Sequence, residues 1–225
     1  MLHNTGIARS SSLTDQAYGG IRSRLIKGLF GGGTSIPALA KELGVSRTPV
    51  REAILRLARE GFIEILPNKG FVAKPLKEET IREIFLIRGA LENIVLVQLV
   101  PKVTQEQIAM LSRNLENQRR SVRDVRGWDP FLEKDREFHW MLAKFAGLEM
   151  SQEIIMNLVD LMLMTKASRQ FITRCNDIVS EHEKILTALK RRDLKASLKA
   201  VASHLDRSEA YLRAFLAGST EPSQA

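Results

Sequence analysis

Leu43-Gly-Val-Ser-Arg-Thr-Pro-Val-Arg-Glu-Ala53 is the stretch that decides the fold. Leu43 closes one helical pattern, Gly44 offers the left-handed turn residue, and Ser46 stands as the cap of the next helix. From Arg47 to Glu60 the residues Val50, Ala53, Ile54, Leu57 and Ala58 fall on one apolar stripe at helical spacing. Arg47, Thr48 and Arg51 fall off that stripe, at the exposed start of the helix. Two helices joined by a tight turn, the second presenting its start, form the arrangement that enters a major groove. Arginine there takes both acceptors of a guanine, and Thr or Ser reaches phosphate or a thymine methyl.

The flanks extend this reading. Upstream, Leu13-Thr14-Asp15 opens a helix, with Thr14 or Asp15 as its cap and Ala17, Tyr18, Ile21, Leu25 and Ile26 as its stripe. Gly28 to Gly33 ends it, and a short helix runs from Ile36 to Leu43 with Pro37 in its first turn. Downstream, Gly61 stops the third helix. Phe62–Leu66 and Gly70–Ala73 then read as two short strands around Pro67-Asn68-Lys69-Gly70. Such a hairpin is a wing whose tip offers an amide, an ammonium and a glycine to a groove.

Leu43 to Ala53, then Leu57-Ala-Arg-Glu-Gly61 and Pro67-Asn-Lys-Gly-Phe71, closely resemble the winged helix-turn-helix of the GntR family of bacterial regulators. The resemblance covers about 60 residues. It implies operator contacts from Ser46, Arg47, Thr48 and Arg51 on the helix and from Asn68, Lys69 and Gly70 on the wing.

Charge agrees with that placement. Residues 1–75 carry 11 Lys+Arg and 5 Asp+Glu, whereas residues 76–225 carry 23 and 21. Most of the net +8 therefore lies in the smaller segment, where a phosphate backbone is the usual partner. No apolar run approaches the ~18 residues that cross a membrane, and the first residues lack a signal peptide's apolar segment. The single cysteine, Cys175, permits no internal disulfide and reads as an inert thiol. A cytoplasmic protein without a membrane partner is the expectation.

After Lys74-Pro75 the strand signals vanish. Helical patterns span residues 78–99, 104–122, 129–146, 151–172, 177–190 and 193–217, punctuated by Pro101, Gly127, Gly147 and Arg191-Arg192-Asp193. Three of the chain's four histidines lie on apolar stripes of three separate helices. Asp135 and His139, four residues apart, share a face with Phe131, Phe138 and Leu142. His182 shares one with Ile178, Val179, Ile185 and Leu189, and His204 one with Val201, Leu205 and Leu212. A lone inward histidine is an ordinary core residue. Three of them with an aspartate would be costly to bury without mutual compensation, and a divalent cation satisfies all four. Four N/O donors without thiolate favour Zn²⁺, Ni²⁺ or Mn²⁺.

Ile87-Arg-Gly-Ala-Leu-Glu92, the Asp135/His139 box and the two later histidines resemble the FCD effector domain of the FadR subfamily. Arg88 also faces inward, on the stripe of Ile81, Ile84, Phe85, Leu91 and Val95, with Glu92 one turn on. A structural Arg–Glu pair is one reading, and the resemblance implies the other, a guanidinium for an organic carboxylate. On that second reading Arg88→Ala weakens effector binding and leaves metal content intact. Asn157 is assigned to the same cavity, with a helix-packing amide as its alternative. Met150, Met156, Met162 and Met164 read as core fillers, and Arg119-Arg120 and Arg191-Arg192 as solvated helix ends.

The expected organisation is mainly α. A flexible arm (1–12) precedes a winged helix-turn-helix of three helices and a β-hairpin (13–76). An all-α antiparallel bundle for effector, metal and dimerisation (77–217) and a flexible tail (218–225) follow. The expected function is a non-enzymatic regulator, more often a repressor in this family. It binds a palindromic double-stranded DNA operator as a homodimer and answers to a small organic acid at a metal-centred pocket. A metalloenzyme joined to a winged helix, a pure metal sensor, and a merely structural metal stay open as rivals.

Overall fold

The computed structural model describes residues 12–30, 34–67, 70–123, 128–164 and 173–218. The chain forms two compact units, residues 1–75 and 76–225.

The first unit contains α1 (Leu13–Ile26), α2 (Ile36–Leu43) and α3 (Arg47–Arg59), then β1 (Ile63–Leu66) and β2 (Gly70–Ala73). Ser12, rather than Thr14 or Asp15, caps α1. Its hydroxyl accepts from the Asp15 N–H, and the Asp15 carboxylate accepts from the Ser12 N–H, a reciprocal capping box. Thr14 instead donates to Glu52 at 2.7 Å, tying α1 to α3. Ser35 caps α2, and Gly44 ends it with φ 66°. Ser46 takes the extended N-cap backbone, yet its side chain makes no capping bond. The strands pair antiparallel, Ile63 opposite Ala73 and Leu66 opposite Gly70. Ile21, Leu25, Leu39, Leu57, Phe62 and Phe71 close the core between helices and hairpin.

The second unit contains α4 (Glu78–Leu99), α5 (Gln105–Arg123), α6 (Trp128–Ala146), α7 (Glu149–Leu163), α8 (Cys175–Lys190) and α9 (Leu194–Gly218). Helix α4 packs on α6, α7 and α9; α5 packs on α6 and α8; α8 packs on α9. Leu96, Leu111, Phe131, Phe138, Ile185 and Val201 fill the space between them. The pattern over 151–172 becomes a helix over Glu149–Leu163, and residues 165–172 lie outside the described residues. Gly147, at φ 75°, reverses the chain and lets α7 begin two residues early.

Two surface readings change. Met150, expected in the core, stands in the first turn of α7 and is 79% exposed. Arg192, expected to be solvated, donates to the Pro101 and Val103 carbonyls at 2.8 and 2.9 Å. It thereby ties the α8–α9 turn to the α4–α5 turn.

Candidate DNA-reading face and candidate metal centre

Helix α3 sets its start outward because Pro49, Val50, Ala53, Ile54 and Leu57 all turn inward. Ser46, Arg47, Thr48 and Arg51 are exposed. Among the described residues neither Arg47 nor Arg51 is in an ion pair, whereas Arg56 on the same helix is held by Glu60 at 3.0 Å. The free Ser46 hydroxyl and the uncapped first N–H groups of α3 add donors at the same end. Arg47, Thr48 and Arg51 line a groove of about 750 Å³ with Ser35, Pro37 and Gly70.

Gly70 serves two purposes there. Its φ is 85°, and a Cβ would collide with the Thr34 carbonyl. Thr34 bridges the neighbouring Phe71 as a short third edge of the hairpin. The glycine that the sequence marked as a groove contact is thus required first by the closeness of the wing to Thr34. Asn68 and Lys69 lie outside the described residues.

In the second unit α6 supplies Asp135 and His139, α8 supplies His182 and α9 supplies His204. One ring nitrogen of each imidazole lies within 4.8 Å of those of the other two. Asp135 Oδ1 lies 3.7 Å from His182 Nε2, which is buried and has no hydrogen-bond partner among the described residues. Phe138 stacks on the His182 ring at 4.2 Å.

Each imidazole is held from behind through Nδ1. His139 Nδ1 meets Glu92 Oε2 at 3.2 Å, His204 Nδ1 meets Glu181 Oε2 at 2.8 Å, and His182 Nδ1 meets Gln118 Oε1 at 3.0 Å. An ionised carboxylate only accepts, so Nδ1 of His139 and His204 carries the proton. The Gln118 amide is oriented by its own donations to Asn114 Oδ1 and to the Lys134 backbone carbonyl, at 2.8 and 3.3 Å. Its oxygen therefore accepts from His182. In the neutral form of each ring this leaves Nε2 as a bare lone pair. A buried, orphaned nitrogen among two more of its kind and a carboxylate is the donor set of a divalent transition metal, so these residues fit the ion that the sequence implies.

The electrostatics keep the His182 and His204 nitrogens available. Burial, then repulsion from the other imidazoles and Arg88, pushes the pKa of His182 well below the usual histidine value. Burial likewise lowers that of His204, despite the hydrogen bond to Glu181. Burial alone would raise the Glu92 carboxyl, but His139 and Arg88 beside it pull it far below the usual carboxylate range. Glu181 is lowered similarly by His204 and Arg174 against the effect of burial. Cys175 is buried at the start of α8, and burial with the Asp135 charge nearby pushes its thiol up to about 12.

A cavity of about 40 Å³ opens beside the cluster, lined by Asp135, His139, His204, Arg88, Val159 and Met162 among others. Arg88 is 2% exposed and donates through Nε and Nη2 to one oxygen of Glu92, at 3.1 and 2.7 Å. Its Nη1 has the Met162 thioether at 3.2 Å, a weak acceptor. Arg88 is thus paired with Glu92 and lines the cavity. Asn157 is half-buried and is not among the lining residues. It stands about 160° round α7 from Val159, which turns inward instead.

Sequence reasoning missed Gln118 and Glu181. Gln118 was detectable, because it continues the buried Ile108, Leu111 and Leu115 stripe of α5 as a polar residue. Glu181 precedes His182 on α8, off the apolar stripe that marked the histidine.

Residues 13–72 match the gntR family of bacterial regulatory proteins, and residues 83–207 match the FCD domain. The chain belongs to the GntR family, with an FCD domain as its second unit. It is 29% identical over 210 residues to the HTH-type transcriptional repressor RspR of Escherichia coli K12, covering 91% of each chain. It is 30% identical over 197 residues to the gluconate operon transcriptional repressor of Bacillus subtilis 168, covering 83% of this chain and 79% of that one. The fold is shared with E. coli McbR/YncC at a TM-score of 0.80 and 23% identity, over 92% of this chain and 100% of the other. The protein is a DNA-binding transcription regulator. No helix among the described residues is long and apolar enough to cross a membrane.

Proposed function

We propose that this regulator is a cytoplasmic, non-enzymatic repressor that binds a palindromic operator as a homodimer and responds to a small carboxylate at a metal-centred pocket. The observation that carries the reading is the orphaned His182 Nε2, facing Asp135 within a ring of three imidazoles whose Nδ1 atoms are all engaged. Asp135, His139, His182 and His204 would hold Zn²⁺, Ni²⁺ or Mn²⁺. When bound, such an ion supplies a fixed positive charge that attracts an anionic oxygen.

Charge points to the ligand. The Arg88–Glu92 and Arg174–Glu181 pairs cancel, an imidazole that ligates a metal is neutral, and Asp135 as a ligand contributes one negative charge. A dication beside them leaves one positive charge, which a single carboxylate neutralises. The cavity's small size favours a compact acid, and Arg88 keeps an edge of N–H groups for it.

On the DNA side, Arg47, Thr48 and Arg51 would read base edges, while Ser46 and the wing residues Asn68, Lys69 and Gly70 would contact the backbone or groove. Helix α4 carries Leu86, Ile94 and Val97 on its outer side at 64%, 50% and 45% exposure. An apolar stripe of this kind suits a two-fold interface between copies. Repression accords with the repressor names of the E. coli and B. subtilis relatives. A metalloenzyme is less well supported, because Glu92 and Glu181 are both held by arginine and imidazole and do not serve as free bases.

The test is operator binding by fluorescence anisotropy against a panel of small carboxylates, with and without chelator. Loss of the acid response on demetallation supports the reading. Turnover of any of these acids, or a response unaffected by chelator, contradicts it.

A further inference from the structure

Two chains of the same chemistry flank the cavity. On one side Arg88 holds Glu92 Oε1, and Glu92 Oε2 holds His139 Nδ1. On the other, Arg174 Nη2 donates to both oxygens of Glu181 at 2.7 and 2.9 Å, and Glu181 Oε2 holds His204 Nδ1. All six residues are 8% exposed or less. The carboxylates come from α4 and α8, whereas the imidazoles they hold come from α6 and α9. Each chain therefore crosses between helices and sets a ring's angle as well as its proton.

We infer that Glu92 and Glu181 are positioning residues for the ion, each keeping its imidazole as the Nδ1–H tautomer with Nε2 open, and that Arg88 and Arg174 hold those carboxylates in place. The physical argument has two parts. A carboxylate behind Nδ1 both fixes the tautomer and makes Nε2 a stronger donor. A buried carboxylate is stable only when its charge is compensated, and a buried guanidinium does this while leaving an acceptor lone pair for the imidazole. His182 differs, because its support is the neutral amide of Gln118. The arrangement gives Arg88 a second duty. The guanidinium that faces the cavity is one carboxylate away from His139, so whatever anion Arg88 binds is linked to the strength of a metal ligand.

This inference rests on the metal reading, and its test separates the two. Long-range ¹H–¹⁵N correlation spectra of the metal-free protein report the tautomer of each ring. His139 and His204 are expected as Nδ1–H, and an Nε2–H pattern at either overturns the inference. Chelator competition with Zn²⁺ on wild type, Glu92→Gln and Glu181→Gln gives the second readout. Each variant is expected to bind Zn²⁺ roughly 10–100-fold more weakly, the usual effect of losing such a support. Wild-type affinity in both variants overturns this inference alone. A wild type that does not bind Zn²⁺, Ni²⁺ or Mn²⁺ sinks the metal reading and this inference with it.

Discussion

His182 Nε2 faces Asp135 Oδ1 across 3.7 Å, and among the described residues no hydrogen-bond partner reaches that nitrogen. The gap is too long for a hydrogen bond and short enough for two ligands of one ion. The wild-type protein is therefore expected to carry one divalent ion per chain. A His182→Ala/His204→Ala variant removes two of the donors and should carry little or none. Elemental analysis of both proteins decides this, and equal metal content would remove the assignment.

Acid should weaken the metal-free protein in two stages. His182 and His204 are depressed in the folded state from an ordinary value of 6.5. The unfolded chain thus takes up protons first, and stability present above pH 6.5 is lost as pH falls below it. Glu92 and Glu181 are depressed from 4.5, so their contribution is present above that pH and lost only below it. Urea unfolding in chelator from pH 8 to 5 should show the histidine stage alone. A flat profile over that range would contradict neutral burial of the two rings.

Arg88→Ala should do more than empty an effector contact. The sequence suggested that this variant keeps its metal, but Arg88 is the guanidinium that compensates Glu92, and Glu92 supports His139. Stranding a buried carboxylate costs about 3–5 kcal/mol. Removing both charges together, as in Arg88→Met/Glu92→Leu, should cost less than the single change. Urea midpoints of the three proteins test the order. An Arg88→Ala protein as stable as wild type would show that Glu92 finds compensation elsewhere.

Gly70→Ala and Arg47→Ala should fail in different ways. Alanine at Gly70 meets both a φ of 85° and the Thr34 carbonyl, so the first unit should lose more than ~1 kcal/mol of stability. Arg47 is exposed and, among the described residues, without an ion pair, so Arg47→Ala should leave thermal stability unchanged. Its operator affinity should fall by ~1–3 kcal/mol if it reads a guanine, and Arg51→Ala should behave alike. Lys69→Ala should instead weaken binding across sequences and reduce its salt dependence. Thermal melts and anisotropy on each variant separate these outcomes.

The inward histidines were legible because helical periodicity alone puts His139, His182 and His204 on apolar stripes. Pattern within one helix also located the start of α3 and the glycine closing α2. What periodicity does not contain is which residue of a neighbouring helix stands opposite. Glu92 lies 47 residues from His139, and Gln118 lies 64 from His182. Their meeting depends on how far each helix slides along its neighbours. The same reason placed Asn157 in the cavity on paper and Val159 in it in fact. The Ser12 cap was missed by two residues, since Thr14 and Asp15 are equally good capping types and only the backbone decides among them.

Helix α4 has no idle side. Arg88 lines the cavity and Glu92 stands behind His139, while Leu86, Ile94 and Val97 stand on the same rigid rod facing out. A helix of this length rolls as one body, and its side-chain envelope has a radius of about 5–6 Å. A roll of about 20°, drawing Arg88 toward an anion, would sweep the outer residues the opposite way by about 2 Å. The helix thus has the mechanics of a camshaft, in which a small torque on the inner lobe becomes a displacement on the outer one.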